Sequence, residues 1–520
     1  MYFLRRLAHR LLPVALLCCC LHPVAAAASE RSSSYLAALE SITTDDVRRH
    51  VEYLADDALE GREAGRRGGR AAGDYLRDRL AELPLRAAGV DGGLVQPFAP
   101  NFRNLLALLP GSHPELKSQV IVLSAHYDHI GYGTRRNSRG PIGYIHNGAD
   151  DNASGTSGLL ELAEAFTLLP EPPKRSILFA FWDAEEKGLL GSRYWIAHPT
   201  LPLDSVVMEI NLDMIGRLRE DRLIVYGTRS GYGLRKLVSC QNEGLALKLD
   251  FSWTLKPNSD HYPFFQRDIP ILLWHTGMHD AHHTPYDDAK LINHAGLSRV
   301  TRLLFHVTYD LADRPQVPGF RREAGSETDK TRAWRAAYRP QPASRLGVGW
   351  RRQDSSGDGV RLTRVASGSP AEKAGLRPGD RIVRCAGREI HSGDELSGGV
   401  MGAESPASLV VVRPGRPEPL QLSVQLDGTP LRLGITWRVD DAEPGTLILT
   451  HVVPGSPAAE AGLRIGDRIY QIAGRDFSDD SQFAQLAATL PEPLELLVER
   501  NGQVRTVVLH FQTEPLRRAA

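Results

Sequence analysis

The 520-residue chain has few cysteines, no excess of either charge and no apolar run long enough to cross a membrane. Of its five cysteines, Cys18, Cys19 and Cys20 crowd into the first 29 residues, leaving Cys240 and Cys385 far apart. A disulfide framework is excluded, so stability must come from packing. Basic and acidic side chains balance at 62 each. That balance gives no argument for nucleic acid or an anionic membrane as partner. No C-x-x-C, H-E-x-x-H or G-x-S-x-G occurs, which removes the redox dithiol, the helix-borne zinc pair and the nucleophile elbow.

The N-terminus is built differently from the rest. Arg5, Arg6 and Arg10 precede an apolar stretch over residues 11–21 and then a run of alanines. This three-part pattern predicts a secretory signal over residues 1–28, cleaved among residues 26–28, and an exported chain, periplasmic or extracellular. The apolar stretch is too short to favour a span, so no membrane segment is expected after signal removal; an uncleaved anchor is the alternative. Leu17 before Cys18 argues against a lipid anchor there.

The length predicts two to four domains. Between residues 45 and 85 apolar residues recur at helical spacing. Short apolar runs then alternate with helical ones: "QVIVLSAHYDH", "SGLLELAEAFTLL", "RSILFAFWD", "VVMEINLDMIG", "RLIVYG" and "IPILLWH". The alternation predicts an α/β domain over residues 29–312, a mostly parallel sheet flanked by helices on both faces. Residues 313–344, rich in proline, arginine and glycine, read as a linker with a short helix around "DKTRAWRAAY". Beyond it the chain repeats: "GSPAEKAGLRPGDRIVRCAGREI" from Gly368 returns as "GSPAAEAGLRIGDRIYQIAGRDF" from Gly455. Two copies of one small β-rich domain are expected, over 345–428 and 429–514.

The ends of the first domain's strands carry chemistry. His126 and Asp128 follow "VIVLSA"; "NGADDNASG" sets Asp150 and Asp151 before a helix; Glu185 and Glu186 follow "FAFWDA"; Asp213 sits in "INLDMIG" and His283 in "DAHHTPYDD". Singly, each has a plain structural reading: Asp151 as a helix cap, the two glutamates as favouring a helix N-terminus. A partly buried Asp213 must be paired with something. Together, two histidines and three carboxylates make a ligand set suited to two divalent zinc ions, one carboxylate bridging. In open parallel sheets, groups at the strands' carboxyl ends share one crevice.

The segments "SAHYDH", "NGADDNASG", "WDAEEKGLLGS", "NLDMIG" and "HHTPYD", in this order, resemble the metal-site motifs of secreted zinc aminopeptidases of the leucine aminopeptidase and aminopeptidase Y group. The likeness covers roughly residues 45–312. It implies a zinc exopeptidase-like fold and two Zn2+ per chain, with Asp151 bridging. His126 and Asp213 would complete one site, Glu186 and His283 the other, with Glu185 as general base and Asp128 orienting His126. Asp287 would serve His283 in the same way, and His282 is the competitor of His283. Asp183 stands where many relatives have a small residue, which adds an acid near the site.

The implied reaction is hydrolysis of the first peptide bond of substrates with a free N-terminus, by water activated between two metals about 3.5–4 Å apart. Another exopeptidase or dipeptidase, a glutaminyl cyclase, and a non-catalytic peptide-binding scaffold are the alternatives. The segment "WTLKPNSDHYPFF" reads equally well as a specificity pocket and as core. The two repeats resemble PDZ domains. That resemblance implies binding of C-terminal peptides at the loops 346–349 and 433–436, or else a bracing role.

Overall fold

The computed structural model describes residues 32–98, 101–339, 342–351 and 358–511; the signal segment lies outside these residues. Three helices come first among the described residues: α1 (Ser33–Glu40), α2 (Thr44–Leu54) and α3 (Arg67–Ala81). In α2 the Thr43 hydroxyl accepts the Asp46 N–H, Asp45 and Asp46 sit in the first turn, and Val47, Val51 and Leu54 form one buried stripe.

The sheet strands are β1 (Arg86–Ala87), β2 (Val95–Phe98), β3 (Phe102–Leu109), β4 (Val120–His126), β5 (Ser176–Trp182), β6 (Val206–Leu212), β7 (Arg222–Tyr226), β8 (Lys248–Ser252) and β9 (Ile271–His275). Their order is β1-β3-β5-β4-β6-β9-β7-β8, with β2 on β3. The centre β5-β4-β6-β9 is parallel, as expected. The edges differ: β3 runs antiparallel to β5, and β7 antiparallel to β9.

Helices cover both faces. Alternate residues of one strand enter different cores: Ile177, Phe179 and Phe181 join α2, α4 (Gly155–Thr167) and α8 (His294–Asp313), whereas Leu178, Ala180 and Trp182 face α5 (Leu190–Ala197) and α7 (His261–Phe265). Helix α6 (Leu234–Gln241) packs beside α8. Among the described residues no helix is long and apolar enough to cross a membrane.

The segment read as a linker is ordered against the first domain. It contains α9 (Asp329–Ala337), and Asp329 accepts hydrogen bonds from the Ser252 hydroxyl and the Trp253 N–H.

Each repeat forms its own antiparallel sheet around its own core. The first holds β10 (Val348–Trp350), β11 (Val360–Val365), α10 (Pro370–Lys373), β12 (Arg381–Cys385), β13 (Arg388–Glu389), α11 (Gly393–Gly402), β14 (Ala407–Val412) and β15 (Leu420–Val424). The second holds β16 (Ile435–Arg438), β17 (Leu447–Val452), α12 (Pro457–Glu460), β18 (Arg468–Ile472), α13 (Asp480–Thr489), β19 (Leu494–Arg500) and β20 (Gln503–Leu509).

The internal symmetry reaches single interactions. Asp380 pairs with Arg413 and Asp467 with Arg500; Arg345 and Arg432 each donate to carbonyls at the end of their own copy's longer helix.

The second repeat is docked on the first domain. Arg229 pairs with both Glu327 and Asp440, Arg235 with Glu499, and Lys236 with Asp476. Backbone bonds join Gly233 to Ala442 and Leu249 to Asn501. Gly502 lies so close that an added Cβ would meet the Leu249 side chain at 2.3 Å.

Candidate metal centre

Four adjacent parallel strands deliver the site. His126 ends β4, Glu185 and Glu186 follow β5, Asp213 follows β6, and the loop after β9 carries His283. Asp151 arrives from the loop that enters α4. Residues separated by up to 157 positions in sequence thus meet at the carboxyl edge of the sheet, where such folds gather ligands.

The run Asp150-Asp151-Asn152 divides three tasks among neighbours. Asp150 accepts the Gly216 N–H at 2.7 Å and is hydrogen-bonded to His279 at 3.1 Å. Asn152 donates to the Leu212 carbonyl and accepts the Gly155 and Met214 N–H groups. Both flanking side chains are therefore occupied in anchoring the loop, Asn152 to the end of β6 and Asp150 to the segment beyond it. Asp151 alone is left to face the cluster.

Its two oxygens point to different partners. Oδ1 lies 3.4 Å from His126 Nε2, which is 3.6 Å from Asp213 Oδ1. Oδ2 lies 3.1 Å from His283 Nε2, which is 3.2 Å from Glu186 Oε1. That is the disposition a bridging carboxylate requires. Burial works to raise the Asp151 carboxyl, but His126, His282 and His283 override it and hold it well below the usual carboxylate range.

The residues fit a pair of divalent cations on one further ground. Asp213 Oδ1 and Glu186 Oε1 are buried without a hydrogen-bond partner among the described residues, although each has a histidine nitrogen close by. These donor atoms are near one another without being aimed at one another, as atoms converging on a shared point would be. Buried polar atoms left unpaired cost free energy, so the arrangement calls for a cation. The donor set, imidazole plus carboxylate, suits zinc.

Glu185 is half-buried beside this pair. Burial pushes its carboxyl well above the ordinary range; His126 opposes the shift, and Glu186, Asp260 and Asp213 reinforce it. A raised carboxyl is a stronger proton acceptor.

The supporting residues depart in part from expectation. Asp128 Oδ1 is 3.7 Å from His126 Nδ1, whose hydrogen bond goes instead to the Asp128 carbonyl at 3.2 Å. The Asp128 carboxylate accepts the N–H groups of Glu185 and Glu186 at 3.0 and 3.4 Å. It therefore fixes the turn that presents both glutamates. The expectation that Asp287 serves His283 is corrected. Asp287 accepts the N–H groups of Asp150 and Asp151, and His283 Nδ1 is hydrogen-bonded to the Asn137 carbonyl. The reason is local: His283 adopts a φ of 56°, and the following Thr284–Asp287 turn carries Asp287 under the Asp151 loop.

His282 stacks on His283 at 4.0 Å and reaches Asp151 Oδ2 at 3.2 Å; among these contacts, only those of His283 include Glu186. Asp183 is buried and accepts the Arg103 N–H; burial and Asp128 push it up to about 7. Trp253 and Phe264 are packed away, Trp253 beneath Arg229 and Phe264 between Trp182 and Trp195, which decides for core at those two aromatics.

Arg62 was missed in the sequence. Fully buried, it donates to the carbonyls of Tyr127, Leu54, Asn147 and Gly148, tying together the loops that carry His126 and Asp151. Its signal was an arginine inside "LEGREAG", a stretch that composition alone marks as a loop.

The sequence model of peptidase family M28 matches residues 104–308, and that of the PDZ domain matches residues 361–413 and 448–500. The leupeptin-inactivating enzyme 1 of Streptomyces exfoliatus is 28% identical over 239 residues, covering 44% of this chain and 48% of its own. Aminopeptidase YwaD of Bacillus subtilis is 28% identical over 216 residues, covering 40% and 43% respectively. This chain thus spans about half the length of those curated relatives. Among solved structures, the Legionella pneumophila LapA aminopeptidase is 20% identical with a TM-score of 0.45, covering 55% of this chain and 77% of that one.

Proposed function

We propose, from the premise that residues 104–308 belong to peptidase family M28 and are followed by two PDZ domains, that this protein is an exported aminopeptidase that removes N-terminal residues from peptides. The observation that carries the reading is the bridging disposition of Asp151, with His126 (itself beside Asp213) at one oxygen and His283 (itself beside Glu186) at the other. Two zinc ions held there would lower the pKa of water to about 7 and polarise the scissile carbonyl.

The chain's own residues do the rest. Glu185 takes the proton of the attacking water and returns it to the leaving amine. Asp128 and Arg62 act through the backbone: one holds the Glu185–Glu186 turn, the other locks the two ligand loops together. Export is supported by the arginine–apolar–alanine pattern of the first 28 residues.

The first repeat supports a part in substrate handling. A cavity of about 180 Å3 lies between its β10 and α11, walled by Leu346, Val348, Trp350, Leu396 and Val400, and by His451 of the second repeat. A peptide held there by its C-terminus keeps its N-terminus free for the zinc centre.

The test is metal analysis of the purified chain, followed by hydrolysis of paired free and N-blocked aminoacyl peptides. Turnover of free peptides alone is expected, and Glu185→Ala should keep the metal and lose turnover. Equal turnover of blocked peptides, or cyclisation of N-terminal glutamine in place of hydrolysis, would overturn the reading.

A further inference from the structure

Beside the five converging residues stands a sixth that the scheme leaves idle. His129, the last residue of "HYDH", is 1% exposed. Its Nδ1 lies 2.8 Å from Glu186 Oε1 and 3.9 Å from Asp151 Oδ2, and its ring meets that of His283 edge-on at 5.5 Å. At 2.8 Å a nitrogen and a carboxylate oxygen ordinarily share a hydrogen bond. Here the pair is close but poorly aligned: Nδ1, Nε2 and Glu186 Oε1 are all buried, and none makes a hydrogen bond of good geometry among the described residues, although, against burial, His129 still draws the Glu186 carboxyl down. The contrast is His279, whose Nε2 stands 3.1 Å from Asp150 in an aligned hydrogen bond.

The position of the ring is built in. The His129 N–H donates to the Arg62 carbonyl, and the ring lies against Gly148, where an added Cβ would meet it at 2.5 Å. Gly148 has a φ of 56° and its carbonyl accepts from Arg62. A side-chain-free residue and a buried arginine thus make room for an imidazole at the edge of the cluster. Three protein donors per ion is the usual complement of a catalytic zinc, whereas four close the site.

Resting on the metal reading above, we propose that His129 Nδ1 is a fourth protein donor to the cation held by Asp151, Glu186 and His283. The two halves of the centre are then unequal. The Glu186 side, with four donors, holds its ion tightly and shields it. The His126–Asp213 side, with three, holds its ion more weakly and keeps an open position. Chelators should strip the chain in two steps.

Cobalt(II) titrated into the metal-free full chain and into His129→Phe, which keeps the ring volume, tests this through visible absorption and chelator competition. The expected result is a loss of more than about 100-fold in affinity for the first equivalent, since even an outer partner of a ligand is worth about 10–100-fold. A change in d–d band intensity should accompany it as the coordination number falls. Superimposable cobalt spectra of the two proteins would overturn the proposal whatever the affinities. Should His129→Phe fail to fold, zinc X-ray absorption on the unaltered chain decides: three imidazoles shared by two ions support the proposal, and two overturn it. A chain that binds no cobalt at all would sink the peptidase reading as well, so the two failures can be told apart.

Discussion

Arg229 and Asp151 are each 4% exposed and each stands within 4 Å of opposite charge, yet their surroundings resolve that charge in opposite ways. Arg229 reaches Glu327 through two nitrogens and Asp440 through one, and lies over the Trp253 ring at 3.8 Å. Arg321 makes a second fork to Glu327, and Arg335 and Arg438 complete the shell of Asp440. Cations and anions there face one another in forked pairs, with Arg229 Nη1 alone of that guanidinium buried without a hydrogen-bond partner among the described residues. Around Asp151, Glu186 and Asp213 the ion partners among the described residues are histidines alone, and the buried guanidinium of Arg62 gives its N–H groups to backbone carbonyls. One buried charge cluster pairs anions with cations and joins domains; the other gathers imidazoles and carboxylates that could hold a metal ion. Burial of charge by itself marks neither stability nor function, and the pairing decides.

The comparison breaks most severely at the ligands. Asp151→Ala and Glu186→Ala are expected to lose metal together with all measurable turnover, whereas Glu185→Ala should keep metal and lose about 10²–10⁴-fold in kcat. Metal analysis beside initial rates reads both.

At the Arg229 cluster the cost falls on stability. Arg229→Ala leaves Glu327 and Asp440 short of a buried partner and should cost about 3–5 kcal/mol. Urea unfolding measures it, with metal content per folded chain unchanged.

Acid separates the two clusters next. In the metal-free protein burial lowers His283, but Asp151 and Glu186 outweigh it and push it up to about 11. At pH 7 that ring carries a proton which a cation must displace. Metal uptake should therefore release protons, seen by calorimetry in buffers of different ionisation enthalpy, and affinity should fall as the pH is lowered. Glu327 and Asp440 are raised by burial yet drawn down to about 2 by their arginines, from ordinary values of 4.5 and 3.8. Groups depressed on folding contribute stability above their unfolded values and lose it as the pH falls through the folded one. The docking of the second repeat should thus persist below pH 4 and weaken towards pH 2.

The smallest effect is expected at the first repeat. Leu396→Asp in its groove should leave the turnover of dipeptide substrates unchanged and raise KM only for long peptides. An unchanged KM for both would remove tethering and leave bracing.

Much of this was legible in the sequence where burial is complete. The parallel centre shows as unbroken apolar runs because those strands are covered on both faces. The edge strands were not: β8, "KLDFS", is short and half polar, and in β3, "FRNLLALL", Arg103 and Asn104 interrupt the apolar run near its start. The ligands were legible because their chemistry is concentrated in residue type. The scaffolding was not, since Arg62 and the Asp128 carboxylate act on backbone groups that no side-chain pattern announces.

The docking face was readable in part by setting the repeats against each other. Asp440 and Glu499 stand where the first copy has Gln353 and Val412, and an acid present in only one copy serves a contact that only that copy makes.

The most direct test is the number of divalent cations retained per chain after reconstitution and gel filtration, measured side by side for the unaltered protein and Asp151→Ala. Two per unaltered chain, and neither held by the variant, is what a centre bridged by that carboxylate predicts. Equal metal in both proteins, or none in either, would contradict it.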